Sequence, residues 1–294
     1  MKFSFRSLKK RFRHFLGKED GALIHENHGS HLITEKSSMR ILEAYSMART
    51  NLFYSGNSAE GGMVFGVTSA SPSDGKSLTC ANLAISFAMS GKRVLLIDCD
   101  MRKPTQKTAF GVDAENGLSE YLAGVSDEPM IVATKYENLS LLTSGRCPPN
   151  PAELLYRPRL AKLMETMRAA YDFVFVDLPP VGIISDATIV APHIGSYILI
   201  VRMMQSDYRM VQEASENIEG VGGKIAGIMI NDVEEQNSSY YYRGRYGKYG
   251  KYYGRYYGKY YGRYGRYAST PSEGAGANAA PTAQETATDK TAEK

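Results

Sequence analysis

The chain has 294 residues, enough for one large α/β domain with extensions, and its 43% apolar content supplies an ordinary core. The net charge of +4 hides segregation: residues 1–18 carry seven Lys/Arg and no acid, residues 240–267 carry eight and no acid, and residues 19–239 hold 18 basic against 27 acidic residues. An acidic body with two basic arms suits contact with anionic surfaces.

No apolar run reaches the roughly 18–20 residues of a membrane span. The N-terminus lacks the long apolar stretch and cleavage site of a secretory signal. Cys80, Cys99 and Cys147 are odd in number and lack metal-like spacing. They read as reduced thiols buried as small hydrophobes, and the protein reads as cytoplasmic.

Residues 3–16 place Phe5, Leu8, Phe12, Phe15 and Leu16 at helical spacing among Lys9, Lys10, Arg11 and Arg13. That pattern predicts a short basic amphipathic helix, able to lie on an anionic membrane face or to dock on the body. Residues 17–36 read as a linker and 38–54 as a helix. A βα alternation follows, with apolar runs at 63–67, 93–97, 139–143, 173–176, 197–201 and 225–230 and helical segments at 76–90, 157–170 and 208–219. Short continuous runs rich in Val and Ile fit strands buried on both faces. Strands separated by helices imply a mainly parallel, doubly wound α/β sheet flanked by helices. After Asn231 no core-forming periodicity remains, and the composition predicts disorder. The resulting division is a basic segment and linker over 1–37, a nucleotide-binding domain over 38–232, and a tail over 233–294.

Between the first run and the next helix lies Ala70-Ser71-Pro72-Ser73-Asp74-Gly75-Lys76-Ser77, a phosphate-binding loop in the strand–loop–helix context that the motif requires. Its backbone N–H groups and the helix N-terminus favour phosphates. Ser73, Asp74, Gly75, Lys76, Ser77 and Leu78 form the expected cradle for ATP. Gly75 permits the turn, Lys76 reaches the β- and γ-phosphates, and the Ser77 hydroxyl ligates Mg²⁺. The usual first glycine is Ala70. Two strands end in acids, one in Asp98-Cys99-Asp100-Met101-Arg102 and one in Asp177-Leu178-Pro179-Pro180. In a parallel sheet such ends share the edge beside the phosphate loop, where carboxylates can hold Mg²⁺ or its waters.

With these residues in hand, the chain resembles the bacterial protein-tyrosine kinases of capsular and exopolysaccharide systems, a P-loop NTPase family, in their stand-alone form. The resemblance rests on the loop from Thr68 to Ser77 with its central Pro72, on Val94 to Arg102, on Val174 to Pro180 followed by Ser185-Asp186-Ala187, and on Pro148 to Leu155. It covers about residues 38–232. It implies Lys76, Asp98, Asp100 and Asp177 as catalytic residues, Asp98 being assigned as the base for the tyrosine proton. It also implies Ser77, Asp100 and Asp177 as the residues around Mg²⁺, Asn231 as an adenine contact, and Arg102 as support for the acidic loop. Glu43 to Asn51 matches the family's oligomerisation helix, with Glu43 and Arg49 as interface residues and Ser46 in place of an arginine. The implied partners are further copies of the chain, a separate membrane polysaccharide co-polymerase that holds the kinase at the inner face of the plasma membrane, and a phosphotyrosine phosphatase.

Residues 240–267 contain only Tyr, Gly, Lys and Arg. The thirteen tyrosines there, Tyr240, Tyr241, Tyr242, Tyr246, Tyr249, Tyr252, Tyr253, Tyr256, Tyr257, Tyr260, Tyr261, Tyr264 and Tyr267, are the candidate phosphoacceptors. Each phosphate adds about −1.5 to −2 charges, so a handful reverses the segment's sign. The competing readings are a partition-type ATPase whose basic aromatic tail binds nucleic acid or polymer, and an inactive adaptor. Ser71 stands where partition-type ATPases carry an additional lysine, which disfavours the first.

Overall fold

The computed structural model describes residues 32–55 and 61–233. The helix expected over 3–16 and the tail with its tyrosines lie outside the described residues. Seven strands form one sheet: β1 Met63–Ser69, β2 Val94–Asp98, β3 Ile131–Ala133, β4 Leu139–Leu142, β5 Phe173–Asp177, β6 Ser196–Arg202 and β7 Ile225–Asn231, in the order β3-β4-β2-β5-β1-β6-β7. Every pairing is parallel except β3 with β4 at the edge. The helices are α1 Met39–Ser55, α2 Lys76–Ala88, α3 Gln106–Phe110, α4 Leu118–Ala123, α5 Pro151–Leu155, α6 Pro158–Ala170, α7 Asp186–Ile189 and α8 Tyr208–Gly220.

All six apolar runs are strands, with ends shifted by up to two residues. The short edge strand β3 and the one-turn helices carried no periodic signal. Alternate residues along each strand enter opposite cores, as the period of two requires. On one face Leu95, Ile97, Val174, Val176, Leu199 and Val201 meet α6 and α8 through Leu160, Leu163, Val211 and Ile218. On the other, Phe65, Val67, Leu96, Phe175 and Ile200 meet α2 through Cys80, Leu83, Ala84 and Phe87, with α1 contributing Leu52. Phe175 anchors this second core, its ring centroid lying 5.6 Å from Phe65 and 5.2 Å from Phe87.

Two expectations need correction. The linker assigned to 17–36 does not run free to its end: Ile33 is buried and its backbone N–H donates to Asn82 Oδ1 at 2.9 Å. An apolar residue beside a buried amide on α2 outweighs the polar neighbours that suggested a linker. Cys80 and Cys99 are buried, but Cys147 is exposed, because it lies in the loop between β4 and α5 rather than on a core element.

The chain order reverses at β1, whose neighbours are β5 and β6. Open parallel sheets bind ligands at such a switch point, outside the strands' C-terminal ends. Register puts Asp98 opposite Asp177, and Val67 opposite Asp177 on the other side.

Removing the ring of Phe175 leaves a cavity between sheet and α2. Phe175→Ala is expected to cost about 3–5 kcal/mol, read as a lowered urea midpoint with unchanged slope.

Candidate active site

The loop between β1 and α2 is built on two left-handed residues, Ser73 at φ 67° and Gly75 at φ 86°. Successive backbone N–H groups turned inward by such alternation form an anion-binding concavity. A Cβ on Gly75 would collide with the Asn231 side-chain amide, so glycine is required there on two counts. Asp74 fastens the loop from within: its Oδ2 accepts from Ser71 N at 3.1 Å and its Oδ1 from Ser206 Oγ at 2.8 Å. Burial raises the Asp74 carboxyl above its ordinary range despite these donors. Asn231, at the end of β7, donates from Nδ2 to the Asp74 carbonyl at 3.1 Å. Ser77 and Leu78 follow on the first turn of α2, both half-buried.

Lys76 reaches under the loop rather than into solvent. Its Nζ lies 2.8 Å from Asp100 Oδ2, 3.6 Å from Asp177 Oδ1 and 3.0 Å from Ser77 Oγ. Burial works against the ammonium, but Asp177 and Asp100 outweigh it and hold Lys76 above its usual value. Asp98 is fully enclosed. Its Oδ1 accepts from Asp100 N at 3.2 Å, and its Oδ2 from Thr105 N at 3.1 Å and Gln106 N at 3.0 Å. Burial and the neighbouring Asp177 nevertheless push Asp98 up to about 8. Burial likewise raises Asp177, opposed by Lys76 and by hydrogen bonds from Gln106 and Ser77.

The structure therefore brings Lys76, Ser77, Asp98, Asp100 and Asp177 into one buried cluster, with Asn231 behind the loop. Arg102 instead grips buried Asp186, with Nε to Oδ2 at 3.0 Å and Nη2 to Oδ1 at 3.2 Å. Glu43 is exposed on α1. Arg49 donates within its own chain, from Nη1 to the Ser86 carbonyl at 2.7 Å and Oγ at 3.0 Å, and from Nη2 to Ser46 Oγ at 3.1 Å. The candidate phosphoacceptor tyrosines lie outside the described residues. Sequence reasoning missed Gln106. No motif marks it, and only the fold carries it to Asp177, 71 positions away.

Asp100 and Asp177 share the single ammonium of Lys76, with Asp98 enclosed beside them. Asp177 Oδ1, which is buried, also finds no hydrogen-bond donor. Both observations call for a cation. Among the described residues no group of three or more His, Cys, Asp or Glu side chains is arranged to hold a metal unaided. Mg²⁺ fits this donor set, because it takes one or two carboxylates and completes its shell with water and phosphate oxygens. Ser77, Asp100 and Asp177 are the residues that would face it.

Fold and site together define a phosphate-loop nucleotide-binding protein, and the family model described as an AAA domain matches residues 73–221. The chain belongs to the bacterial tyrosine-protein kinases. It is 34% identical over 211 residues to the tyrosine-protein kinase CpsD of Streptococcus agalactiae, covering 71% of this chain and 90% of that relative. It is 37% identical over 209 residues to the putative tyrosine-protein kinase EpsB of Ralstonia solanacearum, of whose length it spans 28%. The solved kinase domain of the Escherichia coli tyrosine kinase ETK superposes with a TM-score of 0.63 at 34% identity, over 66% of this chain and 76% of that one.

The raised Asp98 carboxyl has a signed consequence. The folded protein keeps a proton that the unfolded chain releases near pH 4, so this contribution to stability is complete at low pH and is lost as pH rises through about 8. Thermal unfolding followed from pH 5 to 9 is expected to show a falling midpoint in the native chain and a flatter one in Asp98→Asn.

Proposed function

We propose that the protein is a Mg·ATP-dependent tyrosine autokinase that phosphorylates residues 240–267 of neighbouring copies and so regulates synthesis and export of a capsular or exopolysaccharide. The observation that carries this reading is the buried Lys76–Asp100–Asp177 cluster under a phosphate loop, in a chain that also holds thirteen tyrosines in one basic segment.

Transfer of a phosphoryl group demands positioning and charge neutralisation more than covalent chemistry. The loop N–H groups of Ser73 to Leu78 orient the phosphates. Lys76, held between Asp100 and Asp177, is already largely desolvated and is the proposed cation for the phosphates. Ser77, Asp100 and Asp177 would hold Mg²⁺ or its waters, and the ion would supply neutralising charge for the phosphate oxygens. Asp98 is the proposed acceptor for the phenolic proton on the strength of the family resemblance at the end of β2, and in this structure both its oxygens accept from backbone N–H groups. Asn231 is proposed to contact adenine, supported by its place against the back of the loop.

Around this core we place a domain of residues 38–232 between a basic segment and a tyrosine-bearing tail. Among the described residues no helix is long and apolar enough to cross a membrane. The proposed partners are a separate membrane co-polymerase chain and a phosphatase that resets the tail. Glu43 and Arg49 remain the proposed contacts between copies.

The test is phosphotyrosine mapping by mass spectrometry after incubation with Mg·ATP, beside Lys76→Met and a chain ending at Ser239. Phosphate on residues 240–267 that vanishes in Lys76→Met is the expected result. Its absence even with a partner's activating segment present overturns the kinase reading and favours ATP hydrolysis with a polymer-binding tail.

A further inference from the structure

Gln106 has no part in the roles assigned above, yet it touches all three segments that make the site. It opens α3 and is 1% exposed. Its backbone N–H donates to Asp98 Oδ2 at 3.0 Å. Its side-chain Nε2 donates to Asp177 Oδ2 at 2.7 Å and to the Ser77 carbonyl at 3.0 Å. One residue thus binds the acid at the end of β2, the acid at the end of β5 and the first turn after the phosphate loop.

The orientation of its amide is forced. Turned over, Oε1 would face a carboxylate oxygen and a carbonyl oxygen, neither of which can donate. The cost of this arrangement is visible: Oε1 is buried and finds no donor. A buried acceptor left unpaired is unfavourable, and native structures keep few of them. Asp177 Oδ1 is likewise buried without a hydrogen-bond donor.

We infer that Gln106 is the positioning residue for Mg²⁺. By occupying Asp177 Oδ2 it leaves Oδ1 as the oxygen that faces Lys76 and the cation, and by holding the Ser77 carbonyl it fixes the turn that presents the Ser77 hydroxyl. Gln106 need not touch the nucleotide, so its influence runs through Asp177 and Ser77. This role rests on the reading of the cluster as a Mg·nucleotide site.

The experiment compares equilibrium binding of a fluorescent ADP analogue with Mg²⁺ and with EDTA, for the full chain and for Gln106→Met, which fills the same space without a donor. Gln106→Asn, carried alongside, keeps an amide one methylene shorter, so the test survives if Met overpacks. Thermal unfolding checks each variant's fold. The role predicts Mg²⁺-free binding within about twofold of the native chain. The gain in affinity conferred by Mg²⁺ should fall by about tenfold to a hundredfold, as for other groups that orient a metal's ligands. The apparent Mg²⁺ requirement for transfer should rise in parallel. A folded variant that keeps the full Mg²⁺ gain overturns the role, as does one that loses Mg²⁺-free binding equally, since Gln106 would then only brace the loop. If the native chain itself gains nothing from Mg²⁺, the site reading falls and takes this role with it.

Discussion

The ammonium of Lys76 is buried within 3.6 Å of two carboxylates, and a third, Asp98, shares their enclosure. Burying charge is costly unless it is paired and hydrogen-bonded. Here pairing is incomplete by design of the fold: β2 and β5 lie side by side in register, so their terminal acids must face each other across one strand spacing. The fold answers with backbone N–H groups on Asp98, with Lys76 beneath the loop, and with a proton retained at Asp98. Each is a partial remedy for the same surplus of negative charge. The site is therefore electrostatically poised for a cation and for the anionic group that a phosphate loop collects.

The sheet makes this geometry possible. Its C-terminal edge gathers the loop after β1, the acids after β2 and β5, and the asparagine that ends β7. Phe65 and Phe175 pack with Phe87 of α2 and hold β1 and β5 against that helix, which carries Lys76 and Ser77. Asp74 and Ser206 then bind the loop to the turn after β6. Rigidity in the core is thus passed to the loop by hydrogen bonds.

Much of this was legible in the sequence. Val- and Ile-rich runs marked the strands because parallel strands are apolar on both faces. The phosphate loop and the acids at strand ends were legible because their chemistry forces short local patterns. What escaped had no local pattern. Gln106 is an ordinary polar residue until the fold sets it against Asp177. β3 is three residues long and borrows its order from β4. Ile33 looked like part of a linker because its partner, Asn82, lies 49 residues away. Ser46 stands where the resemblance has an arginine, and only the fold shows its hydroxyl accepting from Arg49 within one chain.

The unequal burial of the cysteines has a practical consequence. Cys80 and Cys99 are enclosed, and burial raises both thiols well above their usual range, which suppresses the reactive thiolate. Cys147 is exposed and lies close enough to Arg102 to act on its charge. A single gentle alkylation would therefore mark one position, beside the arginine that grips Asp186. The native chain offers its own attachment point for a spectroscopic probe of the acidic loop, with no cysteine to remove and none to add.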